Sequence, residues 1–148
     1  TFLKTIYLKP VHQKKAIKMN VTCQCQAVTF TTPTTRPLAL YICHCDGCKH
    51  GSGARCSTSA IFPRFDLPKG TALACYKRPL SSGHTLYCYY CEECGTRMVH
   101  TTPGKKVFAI KGACLEGLTQ EDMDKAKHIY TKSAMVPIPE AAENHYKD

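Results

Sequence analysis

Three clusters of cysteines are the residues of this sequence best suited to chemistry. They are Cys23-Gln24-Cys25, Cys43-His44-Cys45-Asp46-Gly47-Cys48 and Cys88-Tyr89-Tyr90-Cys91-Glu92-Glu93-Cys94, which together contain eight of the eleven cysteines. Gaps of one or two residues suit two thiolates that converge on one zinc ion, with Zn–S bonds of about 2.3 Å. Cysteine pairs can close a four-thiolate structural site, whereas a triad leaves one coordination position open for a water or a substrate thiol. The clusters therefore predict two zinc ions per chain.

A disulfide framework is the alternative interpretation of these cysteines. Eleven is an odd number, a bridge within Cys-x-Cys is strained, and no apolar stretch resembles a signal peptide or a membrane span. In a reducing cytosol, clustered cysteines are more often metal ligands than bridges. We therefore expect zinc ligands, a cytoplasmic protein and no contact with a membrane.

Length and composition indicate one compact, strand-rich domain. The chain has 148 residues, of which 43% are apolar, and this suffices for one modest core. Eight Tyr, five Phe and no Trp, with frequent Thr and Val, favour strands. Short predicted strands separated by turn residues indicate a mainly antiparallel fold.

The positive charge is concentrated at the start of the chain. Residues 1–18 contain five lysines and no acid, which leaves +4 of the formal +9 to residues 19–148. We expect residues 1–18 to be a basic extension, either a solvated tail or an added edge strand, with a native start possible at Met19. Residues 19–148 would form a single zinc-binding domain, and nucleic acid is an improbable partner for so mild a charge.

The coarse secondary structure follows from strand-forming runs and turn residues. Strands are predicted over 21–30, 38–42, 57–62, 71–76, 84–90, 98–101 and 107–111, and a loop over His50–Gly53. One short helix is predicted after Gly117, with Thr119 as its N-cap. Cys56, Cys75 and Cys114 stand singly and are predicted to be buried.

The order of the motifs resembles the glutathione-dependent formaldehyde-activating enzyme family, which includes the centromere protein V domain. That family has Cys-x-Cys, then Cys-His-Cys-x-x-Cys, a Gly-Ala step and a later Cys-x-x-Cys-Gly. The matching residues are Cys23/Cys25, Cys43/His44/Cys45/Cys48, Gly53-Ala54 and Cys91/Cys94/Gly95. The segment His128 to Glu140 is similar to the tail of fungal members. Gln26 departs from the pattern, since the family has Gly at this position.

The resemblance implies a fold, a set of ligands and an activity. The fold would be the family's β-tent, built from antiparallel sheets with at most one or two short helices. The structural zinc would be held by Cys23, Cys25, Cys91 and Cys94, and the catalytic zinc by Cys43, Cys45 and Cys48. The enzyme would be a zinc-dependent carbon–sulfur lyase that acts on adducts of glutathione, its co-substrate.

The third cluster leaves one ligand open, because Cys88 forms a second Cys-x-x-Cys with Cys91. We favour Cys94 as the ligand, because the following Gly95 readily adopts the backbone conformation that a metal knuckle requires. Cys88 is then predicted to be a packed core thiol.

The open triad would stabilise a substrate thiol as thiolate, which is its nucleophilic form. Lys49 and Arg97 are the predicted partners of the glutathione carboxylates, with Arg55 a further candidate. His50 and His44 are the predicted proton-transfer residues, with Tyr76 a further candidate. The carbon substrate, the reaction direction and the oligomeric state do not follow from the sequence.

A non-enzymatic zinc module that binds protein or nucleic acid is the alternative function. Its support is the basic segment at the start of the chain. Two zinc ions per chain, one of them exchangeable, would favour the enzyme. A single zinc with salt-sensitive nucleic-acid binding would favour the module.

Overall fold

The computed structural model describes residues 17–140, 142 and 144–145, and the side chains of residues 144 and 145 are not among the described groups. Its strands are β1 (Asn20–Thr22), β2 (Thr29–Thr31), β3 (Ala39–Cys43), β4 (Ser57–Pro63), β5 (Leu73–Pro79), β6 (Thr85–Cys91), β7 (Arg97–Thr101), β8 (Val107–Lys111), β9 (Lys127–Ile129) and β10 (Asn144–His145). The α-helices are α1 (Asp46–Ser52) and α2 (Gln120–Asp124), and short 3-10 turns span Gly112–Cys114 and Thr131–Ser133.

The strands form two sheets of very different size. β1 and β2 pair as an antiparallel ribbon, and the remaining strands form an eight-stranded sheet in the order β10-β9-β3-β4-β8-β7-β6-β5. The pairs from β3 through β4, β8, β7 and β6 to β5 are all antiparallel. β9 pairs in parallel with both β3 and β10, and these are the parallel pairs in a sheet that is mainly antiparallel, as predicted.

One face of the large sheet forms the hydrophobic core. Ala60 of β4 lies opposite Ile110 of β8, which lies opposite Val99 of β7, and all three are fully buried. The β1–β2 ribbon adds Val21 and Val28 to the same cluster. Because side chains alternate between the two faces of a strand, the residues next to these point away from the core.

The opposite face carries polar and charged residues in matching rows. Ser59 of β4 lies opposite Lys111 of β8, while the next row joins Ile61, Ala109 and His100 across β4, β8 and β7. The sheet thus separates an apolar core from a polar face, and this second face positions the candidate site.

Most predicted strands are confirmed, and two local expectations are wrong. β8 has the predicted bounds, and β4 to β7 lie within a few residues of theirs. The predicted strand over 21–30 is two strands, because a turn at the first cysteine pair interrupts it. The predicted loop at His50–Gly53 is the end of α1, which closes at Gly53 in the left-handed conformation.

The helix predicted after Gly117 is confirmed as α2. Thr119 is its N-cap, and its hydroxyl accepts a hydrogen bond from the N–H of Asp122. The Asp122 carboxylate accepts from the N–H of Thr119 in return, which completes a capping box. With two short α-helices and extensive strands, the mainly β fold class is confirmed.

Residues 1–16 of the predicted basic extension lie outside the described residues, so the boundary at residue 18 stays a prediction. Within the described part of the chain, no helix has the length and apolar character needed to cross a membrane.

Candidate metal centres and an adjoining cationic cavity

The first candidate metal centre joins the small ribbon to the large sheet. Cys23 and Cys25 lie in the turn between β1 and β2, Cys91 ends β6, and Cys94 lies in the turn before β7. Their four sulfur atoms lie within 4.8 Å of one another. Residues some seventy positions apart therefore meet at one point, and a metal ion held there would cross-link the fold.

The sulfur separations of this cluster fit a tetrahedral thiolate site. Cys23 Sγ lies 3.6 Å from Cys25 Sγ, which lies 3.7 Å from Cys91 Sγ. A regular tetrahedron with Zn–S bonds of 2.3 Å has sulfur separations of about 3.8 Å. The N–H of Val28 donates to Cys23 Sγ at 3.3 Å. The donor set and its spacing thus fit a closed metal site.

In both turns of this centre, the residue directly after the second cysteine has a left-handed backbone conformation. Gly95 has a φ of +74°, as expected from its place after Cys94. Gln26 has a φ of +66° in the equivalent position after Cys25, although a side chain makes this conformation unfavourable. Gln26 therefore holds a backbone conformation that favours glycine, at a cost in local strain.

The triad is the second candidate metal centre. Cys43 ends β3, Cys45 is the N-cap of α1, and Cys48 lies in the first turn of that helix. Cys43 Sγ and Cys45 Sγ lie 3.5 Å apart, and the three sulfurs lie within 4.8 Å of one another. Cys45 Sγ also accepts the N–H of Cys48 at 3.4 Å. Three thiolates on one side of a metal ion would leave its fourth coordination position open.

Hydrogen bonds among the three thiols shift their pKa values in opposite directions. Bonds to Cys43 and then Cys48 lower the pKa of Cys45 to about 2, while the bond to Cys45 raises the pKa of Cys43. The triad therefore carries a negative charge on Cys45 at neutral pH, as a cation site should.

Two glycines of α1 bring arginines close to this triad. A Cβ at Gly47 would lie 1.9 Å from a guanidinium nitrogen of Arg78, and one at Gly51 would lie 2.0 Å from a guanidinium nitrogen of Arg97. The two glycines are four residues apart and share one side of the helix. Only glycine permits this approach of the helix backbone to both cations.

A cavity of about 490 Å³ adjoins the triad on the polar face of the sheet. Its lining combines the three thiols with basic, hydroxyl and apolar side chains and contains no acid; it comprises Tyr41, Cys43, Cys45, Cys48, Ser59, Ile61, Arg78, Leu80, Leu86, Arg97, His100, Ala109, Lys111, Lys127, Ile129 and Tyr130. A concave site with a few convergent polar groups and a metal-binding cluster is the usual form of a ligand pocket. The arginines and lysines of the lining, with no acidic residue beside them, favour an anionic ligand.

Several polar atoms of the lining have no hydrogen-bond partner among the described residues. They are Oγ of Ser59, Nδ1 of His100 and the Nε atoms of Arg78 and Arg97. Buried polar groups are normally paired, so atoms left unpaired in a cavity indicate a ligand or water that pairs with them.

Burial alters the acidities of three further groups in this cavity. Burial, followed by repulsion from Lys111, Arg97 and Arg78, lowers the pKa of His100 to about 3, so its imidazole is neutral at pH 7. Burial also lowers the pKa of the Lys111 ammonium, which donates to Ser57 Oγ at 2.8 Å. The pKa of Tyr130 is raised by burial and then by the triad thiols, so its phenol keeps its proton.

The structure brings only one of the four predicted binding and catalytic residues to the cavity. Arg97 lines it, whereas the Lys49 ammonium lies 2.9 Å from the Asp46 carboxylate and donates to the Ser133 carbonyl at 2.8 Å. His44 is fully buried, with its Nε2 2.9 Å from Nδ1 of His128.

His50 is exposed on α1 and does not line the cavity. The further candidates Arg55 and Tyr76 are also exposed and do not line it. The protein thus groups its basic and phenolic residues around the triad, while the predicted histidines lie elsewhere.

The sequence analysis missed the cavity residues Arg78, His100, Lys111 and Tyr130. They come from four separate strands or strand ends, so no short motif contains them. Tyr130 has a φ of +57°, which is unusual for a bulky residue and typical of functional positions. Alternation along a strand relates Arg78 to Leu80 and Lys111 to Ala109. It gives no such signal for His100, because Met98, two residues earlier, lies in the core.

The remaining cysteines follow the predictions in part. Cys114 is buried as expected, Cys56 is half-buried, and Cys75 is exposed, so the prediction for Cys75 is wrong. Cys88 is buried, but it lies opposite His100 on the polar face, where its sulfur accepts a hydrogen bond from Arg97. Cys88 is thus a buried thiol that orients Arg97, outside the four-cysteine cluster.

A second cavity of about 490 Å³ shares Arg97 and Lys111 with the first. Small and polar residues dominate its lining, including Gly51, Ser52 and Thr96. The two shared cations therefore lie between an apolar-walled cavity at the triad and a polar one at the end of α1.

Comparison with known proteins gives a consistent result. The family model described as glutathione-dependent formaldehyde-activating enzyme matches residues 18–133. A crystal structure of a Rhodobacter sphaeroides protein superposes with a TM-score of 0.56 at 19% sequence identity, covering 74% of this chain and 98% of that chain. A search of curated proteins found no match. The structural likeness confirms the predicted β-tent fold class. At 19% identity it bears on the fold alone.

Proposed function

Since this chain belongs to the glutathione-dependent formaldehyde-activating enzyme family, we propose that it is a zinc-dependent carbon–sulfur lyase. It acts on glutathione adducts, either releasing glutathione from an electrophilic carbon or adding it. The observation that carries this proposal is a three-thiol cluster with an open side, facing a cavity lined by cations and by no acid.

Two zinc ions are the proposed cofactors. Cys23, Cys25, Cys91 and Cys94 would hold the structural ion, and Cys43, Cys45 and Cys48 the catalytic one. At the triad the metal would stabilise a substrate sulfur as thiolate at neutral pH. Three thiolate ligands are electron-rich, so thiol capture is a better use of this site than water activation.

The proposed substrate contacts are the cations shared by the two cavities. Glutathione carries two carboxylates, and Arg97 and Lys111 are positioned at the boundary of the polar cavity to meet them. Charge-assisted hydrogen bonds of this kind are stronger than neutral ones. Lys49 is assigned a structural role instead, because its ammonium already contacts Asp46 and Ser133.

The proposed reaction exchanges a carbon–sulfur bond for a carbon–oxygen double bond. In the release direction, the adduct's hydroxyl gives up its proton, the C=O bond forms, and the C–S bond breaks with its electron pair going to sulfur, which takes up the proton when glutathione leaves as the thiol. The products are an aldehyde and glutathione, and addition is the exact reverse in atoms and electrons. Each direction moves one proton at the carbon-bound oxygen.

Tyr130 is the residue we assign to this proton. It lines the cavity beside the triad, and its raised pKa keeps the phenol protonated. In the addition direction it donates to the aldehyde oxygen as the thiolate attacks. His50 and His44, predicted for this role, lie on the protein surface and in a buried pair with His128, respectively.

The free thiols support a reducing compartment, and we propose the cytoplasm. All eleven cysteines are free in the structure, which is the usual state in that compartment. The proposed partners are glutathione and glutathione-conjugated small molecules.

Glutathione binding is the experiment that tests the proposal. A free thiol is protonated at pH 7, with a pKa near 8.5, so capture as thiolate is expected to release about one proton per glutathione. Binding should weaken as the pH falls, because protons compete for the sulfur. Calorimetry in buffers of different ionisation enthalpy measures the released proton.

S-methylglutathione is the matched control ligand, because it keeps both carboxylates and has a sulfur that cannot ionise. It is expected to bind more weakly than glutathione, through its carboxylates alone, and to release no proton. If it binds as tightly as glutathione and no proton is released, direct capture of sulfur at the triad is wrong.

Replacing Tyr130 by Phe tests the proton assignment. Turnover is expected to fall by about 10²-fold, the lower range for removing a general acid, while glutathione binding and its proton release persist. Unchanged turnover would remove Tyr130 from the mechanism. The control is Tyr76→Phe, because this phenol is exposed and does not line the cavity.

A further inference from the structure

The cavity beside the triad has an apolar wall that a one-carbon substrate would leave uncovered. This wall consists of Ile61, Leu80, Leu86, Ala109 and Ile129, from β4, the β5–β6 hairpin, β8 and β9. Four of them keep part of their surface accessible, whereas Ala60, Val99 and Ile110 at the centre of the other face are fully buried. Apolar surface in a cavity is a binding determinant when a ligand covers it.

Size excludes formaldehyde as the group that fills this space. A formaldehyde molecule is comparable with one or two waters, each of which occupies about 30 Å³ in the liquid. The cavity measures about 490 Å³. The peptide part of glutathione presents amides and carboxylates, so it matches the polar second cavity better than this wall.

One cation, Arg78, lines the same cavity as the apolar wall and takes no part in the proposed contacts to glutathione. Arg78 lines the first cavity and is absent from the second, unlike Arg97 and Lys111. It is half-buried, its guanidinium packs against Gly47, and its Nε has no hydrogen-bond partner among the described residues. A half-buried guanidinium with an unpaired N–H is suited to a carboxylate.

We propose that the carbon partner of glutathione in this enzyme is an apolar body of aromatic-ring size that carries an acidic group. The apolar wall covers the ring and Arg78 binds the acid, with the reacting carbon directed at the triad. This inference rests on the proposed function and adds the substrate class: a glutathione adduct of an aromatic or similarly bulky acid.

Equilibrium binding of 1-naphthoate to the zinc-loaded protein tests the inference without turnover. In calorimetry, 1-naphthoate is expected to bind with 1:1 stoichiometry. Acetate, which has only the charge, and 1-naphthalenemethanol, which has only the ring, should each bind about tenfold more weakly or worse. Equal binding of acetate and 1-naphthoate would overturn the role of the apolar wall.

Paired variants locate the site. Arg78→Gln should weaken 1-naphthoate binding about tenfold, whereas Lys77→Gln removes the same charge from the neighbouring position and should leave binding unchanged. Lys77 is exposed and packs over the Tyr87 ring, on the opposite side of β5. Equal effects of the two variants would show that net charge alone attracts the anion.

A second pair of variants tests the role of the apolar wall. Leu86→Asn should weaken 1-naphthoate binding about fivefold through lost apolar contact. Leu38→Asn is the control, since Leu38 is 64% exposed outside the cavity. Thermal unfolding of each variant verifies that it folds.

The result separates this inference from the proposed function. If glutathione binds with proton release but 1-naphthoate does not bind, the substrate class is wrong and thiol capture stands. If 1-naphthoate binds in the cavity but glutathione releases no proton, thiol capture fails and the ligand class of the cavity stands alone.

Discussion

Replacing Cys91 by Ser is expected to unfold the domain. Cys91 is fully buried and brings the end of β6 to the cysteines of the β1–β2 turn. Binding of a structural zinc contributes about 10–16 kcal/mol in small zinc domains, and a whole domain is stable by only about 5–15 kcal/mol. Loss of one ligand weakens this binding, and losing a large part of it is enough to offset the stability of the whole domain. Circular dichroism on heating, together with zinc content per chain, measures the effect.

Cys88→Ser is the matched control for this variant. Cys88 lies on the same strand and is equally buried, yet its sulfur is hydrogen-bonded to Arg97 and lies outside the four-cysteine cluster. A serine hydroxyl can accept the same hydrogen bond, so this variant should fold and keep its zinc. If Cys91→Ser and Cys88→Ser melt within a few degrees of each other, the four-cysteine assignment is wrong.

Replacing Cys45 by Ser is expected to remove activity and preserve the fold. The triad spans six residues and closes only a small loop, so its contribution to global stability is small. Serine is also a good N-cap, so α1 should persist after the change at its N-cap residue. Loss of the metal's transition-state stabilisation, worth several kcal/mol, should lower kcat/KM by about 10³-fold or more.

Cys75→Ser is the control for the loss of a thiol, because Cys75 is exposed on β5 and belongs to neither cysteine cluster. It should retain activity. If Cys45→Ser unfolds as extensively as is expected for Cys91→Ser, the triad is a second structural site. The argument for an open coordination position at its metal ion would then fail.

The two cysteine clusters could be predicted from sequence because their members are locally paired. A knuckle of two or three residues fixes its own geometry, and Gly95 after Cys94, with its left-handed backbone, marks the pair that lies in the four-cysteine cluster. The helix α2 was predictable for a similar reason, since Thr119 and Asp122 form their capping box within four residues.

The last residues of α1 are predicted as a loop because the glycines and serine there resemble a turn. Gly47 and Gly51 have another purpose, which is to admit Arg78 and Arg97 against the helix backbone. This purpose appears only when β5 and β7 are placed beside the helix. Intrinsic helix propensity is a weak guide when tertiary contacts decide the conformation.

The cavity could not be predicted because its residues are brought together by strand register. His100 reaches the site through pairing of β7 with β8, and Lys111 through pairing of β8 with β4. A shift of one residue in either pair would turn these side chains toward the core. Such long-range register is not encoded in any short segment.

Zinc K-edge X-ray absorption tests the central claim, capture of a substrate thiolate at the triad, most directly. One four-thiolate and one three-thiolate site give an average of about 3.5 sulfur ligands per zinc, which is expected to rise to about 4 on saturation with glutathione. S-methylglutathione at the same concentration should leave the average at about 3.5. An average that stays at about 3.5 with glutathione bound would contradict the account.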